Sequence, residues 1–116
     1  MSADSSLDLS IAIPVYNELE SLEPLCDRFA KCISPRTSFE IVFVNDGNVG
    51  NAIFHELERL SQRPYVRVVH LSRNFGQHIA MAAGLKNSHG KYVMIMDSDL
   101  QYHPEDCYRM YEWAVK

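Results

Sequence analysis

Short apolar runs alternate along this chain with longer stretches in which apolar residues recur at helical spacing. The apolar runs cover residues 9–15, 39–44, 66–71 and 92–96, and turn-forming residues stop each of them, as is typical of strands. Strands that alternate with helices indicate a parallel sheet covered by helices on both faces. The pattern therefore predicts an α/β fold with a parallel sheet of about four strands.

Four helices are predicted between and after these strands. The first opens at Asn17, where Glu20 completes a capping box, and the last opens at Pro104, a residue suited to a first helical turn. The second lies around residues 53–60 and the third at residues 77 to about 86. The predicted inward faces are Leu22, Cys26, Phe29 and Ile33 in the first helix, Ile53, Phe54, Leu57 and Leu60 in the second, and Cys107, Met110, Tyr111 and Ala114 in the fourth.

The loops that follow the strands are predicted to meet at one edge of the sheet. Right-handed crossovers place the carboxyl ends of parallel strands together, and ligands of such sheets bind there. The loops concerned are residues 14–18, 45–51, 72–77 and 97–103, and they contain the polar residues that the core does not require. The chemistry of the protein is therefore expected in these four loops.

The loop after the fourth strand begins with Asp97-Ser98-Asp99. Two carboxylates one residue apart repel each other unless a cation or strong donors compensate them. A divalent metal that also carries phosphate oxygens is a common compensation, because hard cations prefer carboxylate oxygen. The alternative is a solvated turn, in which Asp and Ser are common residues.

The other three loops each carry a side chain that could contact a nucleotide. Tyr16 could stack on a base, and Glu18 could accept from a base N–H or a ribose hydroxyl, although both also suit the entry to a helix. Asp46 could accept a similar hydrogen bond or belong to an ordinary Asn-Asp-Gly turn. Arg73 could pair with phosphate or brace a carboxylate such as Asp97.

Length and charge narrow the class of protein. The 116 residues, 47% of them hydrophobic and 22% charged, suit a single soluble domain, and the net charge of −4 argues against a nucleic-acid partner. Cys26, Cys32 and Cys107 show no C-x-x-C spacing, so reduced thiols in a cytosolic setting are expected, and the histidines show no zinc-ligand spacing. Residues 1–8 are predicted to be a disordered tail, and no apolar run approaches the roughly 20 residues of a membrane span.

Five segments occur in an order and spacing typical of one family. They are Ile13-Pro14-Val15-Tyr16-Asn17-Glu18, Val44-Asn45-Asp46-Gly47, Leu71-Ser72-Arg73-Asn74-Phe75-Gly76, Ala83-Gly84-Leu85, and Met96-Asp97-Ser98-Asp99-Leu100-Gln101 with Pro104. Together they cover residues 9–116 and resemble the N-terminal half of a family 2 glycosyltransferase of the GT-A fold. The polyprenyl-phosphate sugar transferases, such as dolichyl-phosphate mannose synthases, are the most similar branch.

The resemblance implies a Rossmann-like, nucleotide-binding half of a GT-A fold and a UDP- or GDP-linked sugar donor. The residues that would hold the nucleoside are Pro14, Tyr16, Glu18, Val44 and Asp46. Asp97, Ser98 and Asp99 would lie against the diphosphate, with Asp99, and Asp97 as a second ligand, on Mg²⁺ or Mn²⁺. That metal would neutralise the leaving nucleoside diphosphate. Family members invert the anomeric carbon, and the implied acceptor is a polyprenyl phosphate at the cytoplasmic face of a membrane.

The chain departs from the family pattern in its second loop and in its length. Asn45 and Asn48 stand where the family usually has Asp and Ser, which puts donor affinity or base preference in question. The resemblance implies a catalytic domain about twice as long as this chain. The catalytic residues are therefore expected beyond residue 116, and the fragment alone is expected to be inactive. The fourth strand would then leave an apolar edge through which the chain is expected to self-associate.

Three other functions fit part of the pattern. The donor half is shared across family 2, so transfer to a sugar or protein acceptor remains open, as does a non-catalytic nucleotide-binding fragment. A phosphoacceptor signalling domain also carries carboxylates at strand ends, but its acidic pair follows the first strand, where this chain has residues 14–18.

Overall fold

The computed structural model describes residues 7–15, 19–33, 37–45, 51–71, 77–96 and 104–115. Strands and helices alternate in the predicted order. They are β1 (Leu9–Val15), α1 (Leu19–Cys32), β2 (Phe39–Asn45), α2 (Asn51–Leu60), β3 (Val66–His70), α3 (Gln77–Lys86), β4 (Tyr92–Ile95) and α4 (Pro104–Val115). The predicted α/β class is confirmed. α2 begins inside the predicted second loop, and the predicted cap Asn17 lies outside the described residues.

The four strands form one parallel sheet in the order β3-β2-β1-β4. β1 and β2 are the interior strands, and every residue of both is buried. β3 and β4 lie at the two edges and are partly exposed. Because all four strands run in the same direction, their carboxyl ends lie side by side at one end of the sheet, as the sequence predicted.

The two faces of the sheet are covered by different helices. Alternate residues of β1, such as Ile11 and Ile13, join side chains of α1 and α2 in one hydrophobic cluster, against which Tyr108 and Tyr111 of α4 also pack. α3 covers the other face: a Cβ added at Gly84 would lie 3.0 Å from the Cβ of Ala12. Glycine at this position therefore lets α3 approach the sheet closely.

The predicted inward face of the first helix is confirmed, whereas the predictions that Phe54 and Met110 face inward are wrong. Phe54 is 42% exposed, because Ile53, Leu57 and Leu60 already form the buried stripe of α2 and Phe54 lies beside it. Met110 is 61% exposed, because α4 rests on the core through its tyrosines instead. The side chains of Cys107 and Ala114 lie outside what the structure describes.

A buried carboxylate fixes the turn that leads into β4. Glu40, near the amino end of β2, accepts hydrogen bonds at 2.6 Å from the Ser10 hydroxyl, the Arg67 Nε–H and the backbone N–H of His89. The Ser10 oxygen in turn accepts from the backbone N–H of Gly90 at 2.7 Å. Burial alone would raise the pKa of Glu40, but these donors outweigh it and hold the pKa below its usual value.

Gly90 is needed for the close contact in this turn. A Cβ at this position would lie 2.6 Å from the backbone nitrogen of Ser10 and 2.7 Å from the carbonyl carbon of Leu9, both of which are backbone atoms. Leu7 and Asp8, just before β1, are hydrogen-bonded at the same amino end of the sheet, although the sequence pattern assigned them to a disordered tail. The Asp8 N–H donates to the Ser38 carbonyl at 3.3 Å, and the Lys91 N–H donates to the Leu7 carbonyl at 3.2 Å.

Candidate functional site

The carboxyl ends of β1 and β2 bring two predicted nucleoside-binding residues together. Pro14 and Val44 are direct partners in the register of the parallel pair, and Val15 and Asn45 are the next pair. All four are buried in the sheet. Pro14 has no N–H to donate, and it lies past Ala12, the last residue of β1 that is paired with β4.

β4 leads into the predicted metal-binding segment at the same carboxyl end of the sheet. Its last residue, Ile95, is paired with Ala12 of β1, and the Met96 N–H donates to the Ala12 carbonyl at 3.1 Å. Met96 is buried and is the last described residue before Asp97. β1 is therefore flanked by the strands that lead into two of the predicted site loops.

Most predicted site residues belong to these loops, beyond the strand ends. Those that lie outside the described residues are Tyr16, Glu18, Asp46, Arg73, Asp97, Ser98 and Asp99. Within the part of the chain that the structure describes, no three His, Cys, Asp or Glu side chains come together as a metal site. The predicted roles of the seven residues remain predictions.

A polar cluster joins the ends of β2 and β3, and the sequence pattern did not predict it. The amide nitrogen of Asn45 lies 3.1 Å from Nδ1 of His70, and Nε2 of His70 lies 2.8 Å from Oε2 of Glu58 on α2. The ring of Phe54 stacks on His70 with centroids 4.3 Å apart. The sequence shows that Asn45 and His70 each stand at the end of an apolar run that a polar loop follows. Their contact could not be predicted from it, because the contact depends on the strand order.

The described cysteines do not add a reactive group to the site. Cys26 and Cys32 are reduced thiols, as predicted. Burial raises the pKa of the Cys26 thiol to about 12, so it stays protonated at neutral pH. None of the described helices has the length and apolar character needed to cross a membrane.

Comparison with known families matches residues 10–116 to the model described as glycosyl transferase family 2. The chain is 43% identical over 109 residues to an undecaprenyl-phosphate 4-deoxy-4-formamido-L-arabinose transferase of Edwardsiella ictaluri, covering 91% of the chain and 33% of that protein. It is 36% identical over 103 residues to a dodecaprenyl-phosphate galacturonate synthase of Rhizobium johnstonii, covering 87% of the chain and 30% of that protein. The chain thus spans about a third of the length of these relatives.

Two solved structures share the fold. One is S. aureus TarS 1–349 in complex with UDP-GlcNAc, with a TM-score of 0.75 and 24% identity, covering 94% of the chain and 31% of that structure. The other is a mannosyltransferase from Pyrobaculum calidifontis in complex with GDP-Man and Mn²⁺, with a TM-score of 0.68 and 23% identity, covering 83% of the chain and 30% of that structure. At these identities the likeness shows the fold alone, and it confirms the GT-A architecture.

Proposed function

The chain belongs to glycosyl transferase family 2, and we propose that it is the donor-binding part of an enzyme that transfers a sugar from a nucleoside diphosphate to a polyprenyl phosphate. The observation that carries the proposal is the register of the sheet, which pairs Pro14 with Val44 and sets β4 beside β1. This order lets the segments that follow these strands act on one ligand. The UDP- and GDP-sugar complexes of the two structural neighbours support the same class of donor.

We assign the nucleoside to the first two loops and the diphosphate to the last two. Tyr16 has an aromatic face for the base, while Glu18 and Asp46 have carboxylates that accept from the base or the ribose. Pro14 and Val44, paired at the carboxyl ends of β1 and β2, would contact the nucleoside from the sheet. Arg73, in the loop after β3, has a guanidinium that suits either a phosphate or a neighbouring carboxylate.

Asp97 and Asp99 would hold a divalent cation. Carboxylate oxygens are the ligands that Mg²⁺ and Mn²⁺ prefer, so the donor set fits the metal, and the mannosyltransferase neighbour was solved with Mn²⁺. When bound, the metal would supply positive charge for the leaving diphosphate. Ser98, between the two carboxylates, would donate to a phosphate oxygen.

The acceptor is assigned from the relatives and from its chemistry. Undecaprenyl phosphate and dodecaprenyl phosphate stand in the names of the relatives, which favours a lipid phosphate over a sugar or protein acceptor. A lipid phosphate is already an anionic nucleophile, so inversion at the anomeric carbon needs little help from a general base. We place this transfer at the cytoplasmic face of a membrane, with the catalytic residues beyond residue 116.

Nucleotide binding tests the proposal directly. Calorimetry with UDP and with GDP, each with and without Mn²⁺, should show metal-dependent binding to the wild type and a loss of at least about tenfold in Asp99→Ala, because a charged ligand to the metal is removed. Asp106→Ala is the matched control, since Asp106 is exposed on α4 and pairs with Arg109 instead. Metal-dependent binding that survives Asp99→Ala would remove the metal assignment.

Turnover distinguishes the enzymatic proposal from a binding fragment. The chain alone should bind nucleotide without transferring sugar to a polyprenyl phosphate, and a longer chain that includes the region present in the relatives should transfer it. Binding without turnover in the longer chain as well would favour a non-catalytic nucleotide-binding protein.

We further propose that the chain self-associates through the β4 edge. β4 pairs with β1 on one side, Tyr92 and Ile95 are each 38% exposed, and the neighbouring α4 exposes Met110 and Trp113, the latter by 81%. An apolar strand edge beside apolar side chains is a surface that a second copy can cover.

Light scattering at tens of micromolar tests this contact. The wild type should exceed the monomer mass, and Trp113→Ser should shift it toward the monomer. Phe54→Ser is the matched control, because Phe54 is an exposed aromatic residue next to β3 at the opposite edge of the sheet. A monodisperse wild-type monomer would contradict the proposal.

A further inference from the structure

The cluster formed by Asn45, His70 and Glu58 connects solvent with the buried end of β2. Asn45 is only 5% exposed, while the Glu58 side chain is 52% exposed and His70 lies between them. The two strand ends are also joined by the backbone, since the Leu71 N–H donates to the Asn45 carbonyl at 2.9 Å. The side-chain contact therefore adds a second tie at the point where two of the proposed site loops begin.

The neighbours of His70 determine which of its nitrogens carries the proton. A carboxylate can only accept a hydrogen bond, so Nε2, which faces Glu58, must be the donor. A side-chain amide nitrogen can only donate, so Nδ1, which faces Asn45, must be the acceptor. The contacts are satisfied together by one form of the ring, the neutral form protonated at Nε2.

We propose that His70 is a positioning residue of the donor site, which acts through Asn45 on the loops that follow β2 and β3. The proposal rests on the proposed function, because Asp46 comes directly after Asn45 and Arg73 comes three residues after His70. Neutral His70 holds the Asn45 amide in one orientation, and the carboxyl ends of the two strands stay in fixed relation. Among the described residues, the His70 ring contacts Asn45, Glu58 and Phe54.

Protonation of Nδ1 reverses the contact. An imidazolium has two donors, so Nδ1–H would face the donor side of the Asn45 amide, and the amide must turn to offer its oxygen. Among the residues that the structure describes, the ring faces Glu58 and Phe54 of α2, with His55 beyond Phe54, and Asn45 of β2. The tie therefore depends on an acceptor at the position of Nδ1.

Two substitutions test the positioning role of His70. His70→Asn keeps an amide oxygen near the place of Nδ1 and takes up no proton, whereas His70→Leu removes the acceptor. At about pH 8, Mn²⁺–UDP should bind His70→Leu about fivefold more weakly than the wild type, and His70→Asn within about twofold, as expected for one hydrogen bond. His55→Asn, which changes the neighbouring histidine of α2, should bind like the wild type.

Rescue by the conservative variant is the readout that a merely structural role would not produce. His70→Asn restores an acceptor at the place of Nδ1 without restoring the ring, so its affinity should recover most of what His70→Leu loses. Equal affinities for His70→Asn and His70→Leu would overturn the proposal.

Nitrogen NMR of the unliganded chain gives a test that does not need nucleotide. The neutral His70 ring should be protonated at Nε2, and the Asn45 side-chain amide signals should shift in His70→Leu and stay near their wild-type positions in His70→Asn. A neutral ring protonated at Nδ1 would overturn the proposal. If no nucleotide binds while these signals behave as expected, the proposed function fails and the His70–Asn45 tie stands.

Discussion

The two ends of the sheet treat their carboxylates in opposite ways. At the amino end, Glu40 is buried and receives hydrogen bonds from Ser10, Arg67 and the backbone of His89. At the carboxyl end, Asp97 and Asp99 follow β4 in sequence. In our proposal, a bound cation compensates the negative charge of these two carboxylates. A buried carboxylate whose donors are internal is part of the fold, whereas a carboxylate that needs an external partner marks a binding site.

This difference predicts separate consequences for stability and for binding. Substitutions at the amino end should change the free energy of unfolding and leave nucleotide affinity per folded molecule unchanged. Substitutions at the carboxyl end should mainly change nucleotide affinity and cost less stability. We expect three losses of stability, from the largest to the smallest.

Gly90→Ala should cause the largest loss of stability. Its Cβ would meet the backbone of Leu9 and Ser10, which cannot move without disturbing β1, so we expect a loss of about 3 kcal/mol in urea unfolding. Gly84→Ala is the comparison, because its added Cβ would press on side-chain carbons of Ala12 and Val44 at 3.0 and 3.3 Å and not on backbone, so a smaller loss is expected. Equal losses in the two variants would show that the turn before β4 is not specially constrained.

Glu40→Gln should cost about 2 kcal/mol at neutral pH, because charged hydrogen bonds become neutral and one donor faces another. The folded pKa of Glu40 lies below the ordinary 4.5, so its contribution is present above about pH 4.5 and is lost as the pH falls through the folded pKa. Urea unfolding at neutral and acidic pH should therefore show a smaller gap between the variant and the wild type in acid.

The control for this pH effect is Glu20→Gln, an exposed glutamate in the first turn of α1. It should leave the gap to the wild type small at both pH values. A gap for Glu40→Gln that stays constant with pH would mean that the Glu40 carboxylate does not carry the acid dependence.

Phe54→Ala should have the smallest effect on folding, although it removes an aromatic ring. Phe54 is 42% exposed and stacks on His70 at the carboxyl end, so the expected loss is about 1 kcal/mol in urea unfolding. Leu57→Ala, three residues along the same helix and fully buried, should cost at least about 2 kcal/mol. A Phe54→Ala loss as large as that of Leu57→Ala would mean that this exposed contact at the carboxyl end contributes as much to folding as the buried core does.

The fold was predictable because its signals are local. The apolar runs and the helical spacing of Leu22, Cys26, Phe29 and Ile33 are repeated patterns that packing then reinforces. Phe54 and Met110 were predicted wrongly because an apolar residue next to a buried stripe satisfies the same spacing as the stripe itself. Which residue faces inward depends on how the helix is rotated against the sheet, and spacing along one helix does not specify that rotation.

The candidate site divides in the same way. Sequence alone was enough to select the four loops and the segments that resemble family 2, and the family comparison confirms that membership over residues 10–116. The pairing of Asn45 with His70 and of Ser10 with Glu40 was not predictable, because these residues lie 25 and 30 positions apart. Such pairs form only when strand order and register bring the side chains together.

The sequence by itself determined the alternation of strands and helices, the edge at which ligands are expected and the residue types available there, since these follow from periodicity and chain chemistry. The tertiary structure decided which polar groups satisfy one another. Strand order β3-β2-β1-β4 sets Glu40 among internal donors at one end and ties Asn45 to His70 at the other. The physical reason is that hydrogen bonds need atoms within about 3 Å of each other, and only the folded arrangement creates that proximity between residues distant in sequence.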